Sequence, residues 1–259
     1  PVVTERNAME NKIVIALRRA HHCEHIRTVL AQNNLHYPVY ELSAGAGSFD
    51  VLQKAVERGA KVLITGDTYV DAVMEKVNIS VVTLRRGSPP FSDTIRKALS
   101  IADRTALVWR ENDAPAAQRA CGEFGGAAVF YPYRPRRDDL EQLCARLAAD
   151  GFQAVVGAGI LNEPAARYGI TVFNVPYADS DILSAVRIAE HNLTSLEERQ
   201  QYIETLNSIY DNISEGIVLI DPDGVIETVN RAAAEYLQLN AQDLVGSHCD
   251  RTPLASTEL

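Results

Sequence analysis

The amino-acid sequence predicts an α/β protein of two similar lobes, each with a parallel sheet, followed by a long helix and a small α+β segment. Three observations predict it. Short apolar runs alternate with single amphipathic stretches, the pattern of βαβ units in a parallel sheet. The alternation breaks at "RRGSPP" (85–90) and then restarts, giving two blocks of comparable length. From Asp179 the apolar spacing changes to a 4-3-4-3 repeat, and a hairpin signal follows it.

In the first block, "KIVIAL" (12–17), "YPVYELS" (37–43), "KVLITG" (61–66) and "ISVVTL" (79–84) read as strands. Helices are expected between them through "HHCEHIRTVLAQN", "SFDVLQKAVERG" and "DTYVDAVMEKV", the second with a closing glycine. In the second block, "SDTIRKALSI" is expected to be a helix with Ser92 or Asp93 as its N-cap, and "TALVWR" (105–110) a strand. A helix through "APAAQRACGEFGG", a strand at "AAVFYPY" (127–133) and a helix over "RRDDLEQLCARLAADG" with a glycine stop come next. "AVVGAG" and "TVFNVPY" are the last two strands, with the short helix "LNEPAARYG" between them. Two Rossmann-like lobes joined near Arg85–Pro90, arranged as in periplasmic-binding-protein-like folds, would set their carboxyl strand ends around a shared cleft.

In the long helix, Ile182, Val186, Ala189, Leu193 and Leu196 fall on a coiled-coil-like seam. Gln200 interrupts it, and Ile203, Leu206 and Ile213 continue an apolar face in a shifted phase. So narrow a stripe is expected to serve as a connector or dimer contact rather than as a buried core helix. The expected boundaries are a lead-in at 1–11, lobes at 12–88 and 89–179, the connector at 180–211 and the final segment at 212–259.

A chain of 259 residues, 46% hydrophobic and 23% charged, has enough apolar side chains to fill such a set of domains. Its formal net charge of -9 repels phosphate backbones, so this stretch is not expected to bind DNA by itself. The cysteines Cys23, Cys121, Cys144 and Cys249 form no CxxC pair, which fits reduced thiols in a cytosolic protein. No apolar run approaches the ~20 residues that span a bilayer, and the N-terminus has no secretory h-region. A cytoplasmic protein with no membrane partner is expected.

The stretch "AVVGAGILNEPAARYGI" (154–170) reads as strand, glycine turn and helix, the local form that grips phosphates. The dinucleotide fingerprint fails, because Asn162 occupies the third glycine position and Pro164 sits at the helix start. With no Walker A motif either, no cofactor is expected. Comparable small-residue turns occur at "SAGAGS" (43–48) and "TGDT" (65–68). They could be purely structural; as a set at strand ends they suit a small anionic molecule, because they expose backbone N–H groups and helix N-termini. Arg85 and Arg86 follow a strand and could clamp a carboxylate bidentately, or form a solvated pair at a lobe hinge. Arg110 is a weaker candidate, and Trp109 is expected to pack beside a strand. "HHCEH" (21–25) places His21 and His25 one helical turn apart, but no second ligand pair supports zinc, and a cleft rim or polar face suits it better. Cys121 and Cys144 read as core, Asp138 and Asp139 as helix-opening acids, and no catalytic set emerges.

"NISEGIVLIDPDGVIETVNRAAAEYLQLNAQDLVGSH" (212–248) has two strands around an Asp-Pro-Asp-Gly turn, with Asn230 placed to cap the helix that follows. It resembles the opening of a PAS domain, of which only about half is expected before the last residue, as in a fragment of a longer protein. The ordered set "VLITGDTYVDAVMEKVNISVVTL", the helix carrying Ser92 and Asp93, and "AVVGAGILNEPAARYGITVFNV" resembles the N-terminal sensor domain of propionate-catabolism activators, which are sigma-54-dependent transcription regulators. The resemblance spans roughly residues 12–195. It implies a non-enzymatic, effector-binding lobe pair for a small carboxylate such as 2-methylcitrate. It also implies signalling through the helix to PAS and AAA+ domains, a homodimer through the helix and PAS segment, and sigma-54 RNA polymerase and DNA as partners of further domains. "RRGSPPFSD" departs from the founder's approach to the aspartate, which leaves room for a different ligand. Position by position, the resemblance marks Thr65, Gly66, Asp67 and Thr68, then Ser92 and Asp93, then Gly157, Ala158 and Gly159 as cleft candidates, with Thr68 and Ser92 as hydroxyl donors. The alternatives from the residues alone are a Rossmann-like enzyme acting on a nucleotide or sugar, and a ligand-free dimerisation scaffold.

Overall fold

The computed structural model describes residues 11–42, 48–66, 73–74, 77–111, 114–134 and 138–253. Residues 1–193 and 194–259 form two compact units. In the first unit, β1 (Ile13–Leu17), β2 (Val39–Glu41), β3 (Val62–Gly66) and β4 (Ser80–Leu84) make a parallel sheet in the order β2-β1-β3-β4. A second parallel sheet holds β5 (Thr105–Arg110), β6 (Ala128–Tyr133), β7 (Ala154–Gly157) and β8 (Thr171–Asn174) in the order β6-β5-β7-β8. The second order repeats the first. In each, the chain starts in an inner strand, steps to one side and then returns past its start, which opens a crevice at the carboxyl ends of the inner strands.

Every residue of β1 and β3 is buried, as a sheet covered on both faces requires. α1 (Ala20–Gln32) covers one face of the first sheet through Cys23, Ile26, Val29 and Leu30, and α2 (Ser48–Glu57) covers the other through Leu52 and Ala55. On the second sheet, α3 (Ser88–Leu99) and α4 (Ala114–Gly122) share one face around Phe91, Ile95, Ala117 and Trp109. α5 (Leu140–Ala149) and α6 (Asn162–Ala166) take the opposite face. α5 is delimited as its sequence suggests. Asp139 caps it by accepting from the Glu141 amide at 2.9 Å, and Gly151 turns the chain away at φ 79°.

Two expectations need correction. α3 begins at Ser88 with Gly87 as its N-cap, so neither Ser92 nor Asp93 caps it. Pro89 and Pro90 occupy its first turn, where a missing N–H costs nothing and the fixed φ suits a helix; "GSPP" starts this helix rather than breaking the chain. The second correction concerns α7 (Asp179–Asn212). Most of its expected seam is not left open for a partner: Ile182, Val186, Ala189 and Leu193, with Ala185 beside them, are buried against β1, β3, β4 and α1, and Leu196 alone of the seam is exposed. The chain therefore leaves the first lobe after β4, builds the second, and returns to complete the first. Where it crosses, the Asp181 carboxylate accepts from the Gly87 and Ala178 amides, each at 3.2 Å, and ties the two crossings together.

In the second unit, β9 (Val218–Ile220) and β10 (Ile226–Val229) form an antiparallel hairpin. Asp221 Oδ1 organises its turn by accepting from the Asp223 and Val225 amides at 2.9 and 2.8 Å. α8 (Arg231–Leu237) and α9 (Ala241–Leu244) pack Ala233 and Leu244 onto Ile226 and Val229. Asn230 caps α8 through the Ala233 amide at 2.9 Å.

Candidate functional site

A cleft of about 260 Å³ opens between the two lobes of the first unit. Its walls are the carboxyl ends of both sheets. Leu17, Arg18 and Arg19 come from the end of β1, Gly66 from β3, Arg86 from beyond β4, and Arg110, Tyr133, Ala158 and Asn174 from the equivalent places in the second lobe. Arg18, Arg19, Arg86 and Arg110 share this space with His21 and His22, and no Asp or Glu is among its described lining residues. In a protein of net charge -9, four arginines among the described lining residues of one cleft are a local concentration of cations.

The Arg86 guanidinium lies 3.7 Å from the centroid of the Tyr177 ring and 4.9 Å from that of Trp109, and its Nε donates to the Val175 carbonyl at 3.0 Å. Tyr177 and Trp109 are buried, so the arginine is held in a fixed plane. Arg19 stands at the N-cap of α1 and donates across the cleft from Nη2 to the Gly159 carbonyl at 3.0 Å. A cation at a helix N-terminus is opposed by the helix dipole, so Arg19 is not there for the helix's sake. The His22 ring meets His21 edge-on at 4.1 Å and Tyr177 at 5.0 Å. Burial, and then the charges of His21, Arg86, Arg19 and His25, lower its pKa to about 3. Burial raises the Tyr133 hydroxyl above its usual value, against the pull of Arg110.

Of the residues singled out from sequence, Thr65, Gly66, Arg86, Arg110, Ala158 and Gly159 line the cleft, and so does His21 of the stretch read as a cleft rim. The Thr65 hydroxyl donates to the Ala16 carbonyl at 2.9 Å. Gly66 and Gly159 are positions of close approach: a β-carbon would sit 2.8 Å from Tyr177 Oη at the first and 2.7 Å from Arg19 Nη2 at the second. Gly157 lies just behind the lining, at the end of β7. Asp67 and Thr68 lie outside the described residues. Arg85 is exposed and does not line the cleft. Ser92 and Asp93 do not line it either, because the earlier start of α3 places both beyond its first turn. Ser92 donates within the helix to the Ser88 carbonyl at 3.3 Å, and Asp93 pairs with Arg96 at 2.8 Å on the surface.

Arg18, Arg19, His22 and Tyr177 went unread, although a signal was present. Arginines directly follow β1 and β4 and close β5, and that repeated placement marks the cleft as well as the glycine turns do. "HHCEH" divides by helical face: His21 and His22 line the cleft, and Cys23 is buried and donates to the Leu17 and Tyr40 carbonyls. His25 Nε2 lies 3.1 Å from the Asp179 carboxylate. Among the described residues, one group could offer a metal several ligand atoms together, the consecutive His248, Cys249 and Asp250 of the second unit.

The turn after β7 sets the cleft's wall and leaves no room for a side chain at Gly157. A β-carbon there would collide with the buried Leu161 side chain and stand 3.2 Å from the Val108 carbonyl. Gly157→Ala is expected to cost about 1–3 kcal/mol, read as a lower midpoint in thermal or urea unfolding. An unchanged midpoint would show that this turn has slack the packing does not suggest.

A family model described as propionate catabolism activator matches residues 13–199, and a PAS domain model matches residues 204–257. A signal-transduction and transcriptional-control protein of Clostridium beijerinckii is 27% identical over 78 residues, covering 29% of this chain and 12% of that protein. The cell-division control histidine kinase PdhS of Brucella ovis is 28% identical over 112 residues, covering 42% of this chain and 11% of the kinase. The chain thus spans about a tenth of the length of these curated relatives. Among solved structures, an NtrC family transcriptional regulator from Clostridium acetobutylicum matches with a TM-score of 0.56 at 11% identity, over 69% of this chain and 94% of that one. At that identity the likeness concerns the fold.

Proposed function

Because this chain belongs to the propionate catabolism activator family over residues 13–199, we propose that its interlobe cleft binds a small carboxylate-bearing effector and that the chain is the sensing region of a sigma-54-dependent transcriptional activator. The observation that carries the reading is the cleft wall, with its four arginines and no described carboxylate. Carboxylates pair with guanidinium groups through short, charge-assisted bonds, and the stacked Arg86 gives that pairing a defined plane. Gly66, Ala158 and Gly159 bring backbone close to the same space. The effector would bridge the lobes and favour their closed arrangement, to the extent that it binds that arrangement more tightly. The regulator would act as a homodimer from the cytoplasm, with sigma-54 RNA polymerase and DNA engaged through further domains. The far half of α7 supports self-association, because Leu196, Ile203, Leu206 and Ile209 are exposed on it.

The test is calorimetric titration with mono-, di- and tricarboxylates, 2-methylcitrate among them, and with nucleotides. A di- or tricarboxylate is expected to bind. Arg86→Gln is expected to weaken it by about 10–100-fold, the worth of one charge-assisted bond of ~1.5–3 kcal/mol, measured at a temperature where the variant is folded. Binding of a nucleotide in place of any carboxylate would replace this reading with the enzyme alternative, binding of neither with the scaffold, and an unchanged carboxylate affinity in Arg86→Gln would remove the arginine wall as the site.

A further inference from the structure

We propose that His22 is a ligand-contacting residue of this cleft that takes up a proton only when the anion is present, so that effector and proton bind together. The inference rests on the carboxylate reading of the cleft and adds to it a residue and a dependence.

The argument starts from what surrounds His22. His21 and His25 flank it on α1, and Arg19 stands at that helix's N-cap. Arg86 approaches from beyond β4, and the buried Tyr177 lies edge-on at 5.0 Å from beyond β8. Arg18, and from the other lobe Arg110 and Tyr133, line the same space. On α1 itself, His25 Nε2 lies 3.1 Å from the Asp179 carboxylate. With no anion bound, a proton on His22 would add one more positive charge to a partly buried group that includes Arg19 and Arg86. Its pKa of about 3 follows from that burial and those charges, and the imidazole is neutral at every physiological pH.

An anion changes the sign of the field at this ring. A dianion seated among Arg19, Arg86 and Arg110 would occupy the cleft that His22 also lines, where an opposite charge favours the protonated form. The proton then supplies an N–H donor and a positive charge on the wall that α1 contributes. A fifth arginine at this position would burden the empty cleft with permanent repulsion. A histidine carries the charge only while a ligand compensates it. The sign follows directly. His22 binds its proton more tightly in the complex than in the free protein, so affinity is level at alkaline pH and rises as the pH falls through the pKa in the complex.

The experiment uses tartrate and sulfate, dianions whose own charge is constant between pH 6 and 8, with the chain as it stands. Titrations in buffers of different ionisation heat count the protons taken up, and the nitrogen resonances of the His22 ring report its charge directly. The expected result is binding roughly tenfold tighter at pH 6 than at pH 8 with net proton uptake. The ring signal of His22 should move toward the imidazolium form on saturation. His22→Gln should lose the pH dependence and the net proton uptake. Saturable binding with no proton uptake, or a dependence that survives in His22→Gln, overturns the inference and leaves the carboxylate cleft standing. Should the glutamine variant not fold, the ring resonances of the parent chain decide the matter alone. If neither dianion moves the amide signals of Gly66, Ala158 and Gly159 at either pH, the cleft reading falls, and the inference with it.

Discussion

Asn230→Ala is expected to remove most of the stability of the second unit, on the order of 4 kcal/mol, with the hydrogen-exchange protection of the Ile217 and Ala233 amides lost together. The side chain is wholly buried and uses its full bonding capacity. Its Oδ1 accepts from the Ile217 amide at 2.8 Å and the Ala233 amide at 2.9 Å. Its Nδ2 donates to the carbonyls of Tyr210 and Glu215 at 3.1 and 2.9 Å. One amide therefore closes the last turn of α7, fixes the entry to β9 and caps α8. The apolar cluster beside it is small, built on Ile226, Val229, Ala233 and Leu244, and cannot make up such a loss. Asn230→Asp keeps the acceptor and loses the donors, so an intermediate effect is expected. A loss below about 1 kcal/mol for the alanine variant would mean that water replaces the side chain at every partner.

Leu193→Ala is expected to cost about 2–5 kcal/mol, whereas Leu206→Ala, on the same helix, should cost under about 1 kcal/mol. Leu193 is fully buried in the core of the first lobe; Leu206 is 45% exposed. The same pair separates packing from self-association. Leu206→Ala should weaken any dimer in sedimentation runs at graded concentration, and Leu193→Ala should act through unfolding. Equal destabilisation by the two would contradict the burial of the helix's first half.

The contrast between these leucines also shows what the sequence could and could not disclose. A 4-3-4-3 spacing marks one apolar face of a helix, and a sheet satisfies that face as well as a second helix does. Ile182, Val186, Ala189 and Leu193 therefore looked like a seam because their actual partners, β1, β3 and β4, lie far away in the chain. The strands were easier to read, because Ile13–Leu17 is apolar throughout and Val62–Gly66 nearly so, and both adjoin amphipathic stretches. The start of α3 was misplaced by reading Pro89 and Pro90 as an interruption, when the first turn of a helix is where proline is tolerated. Asp93 was lost with it. In the cleft, Gly66, Ala158 and Gly159 were marked by the turns that carry them. Arg19 and His22 were not, because a charged residue after a strand reads as solvated until the facing lobe closes over it.

The return of the chain to its first lobe also has a consequence for synthesis. A ribosome delivers β1 to β4 well before the residues from Ile182 to Leu193 that cover one of their faces. At a translation rate of roughly 5–20 residues per second, the nascent sheet waits on the order of ten seconds with that face covered by α1 alone. The intervening chain builds a complete second lobe in the meantime. The first lobe is thus begun first and finished last, and while it waits it presents an apolar surface on which chaperones can act and aggregation can start.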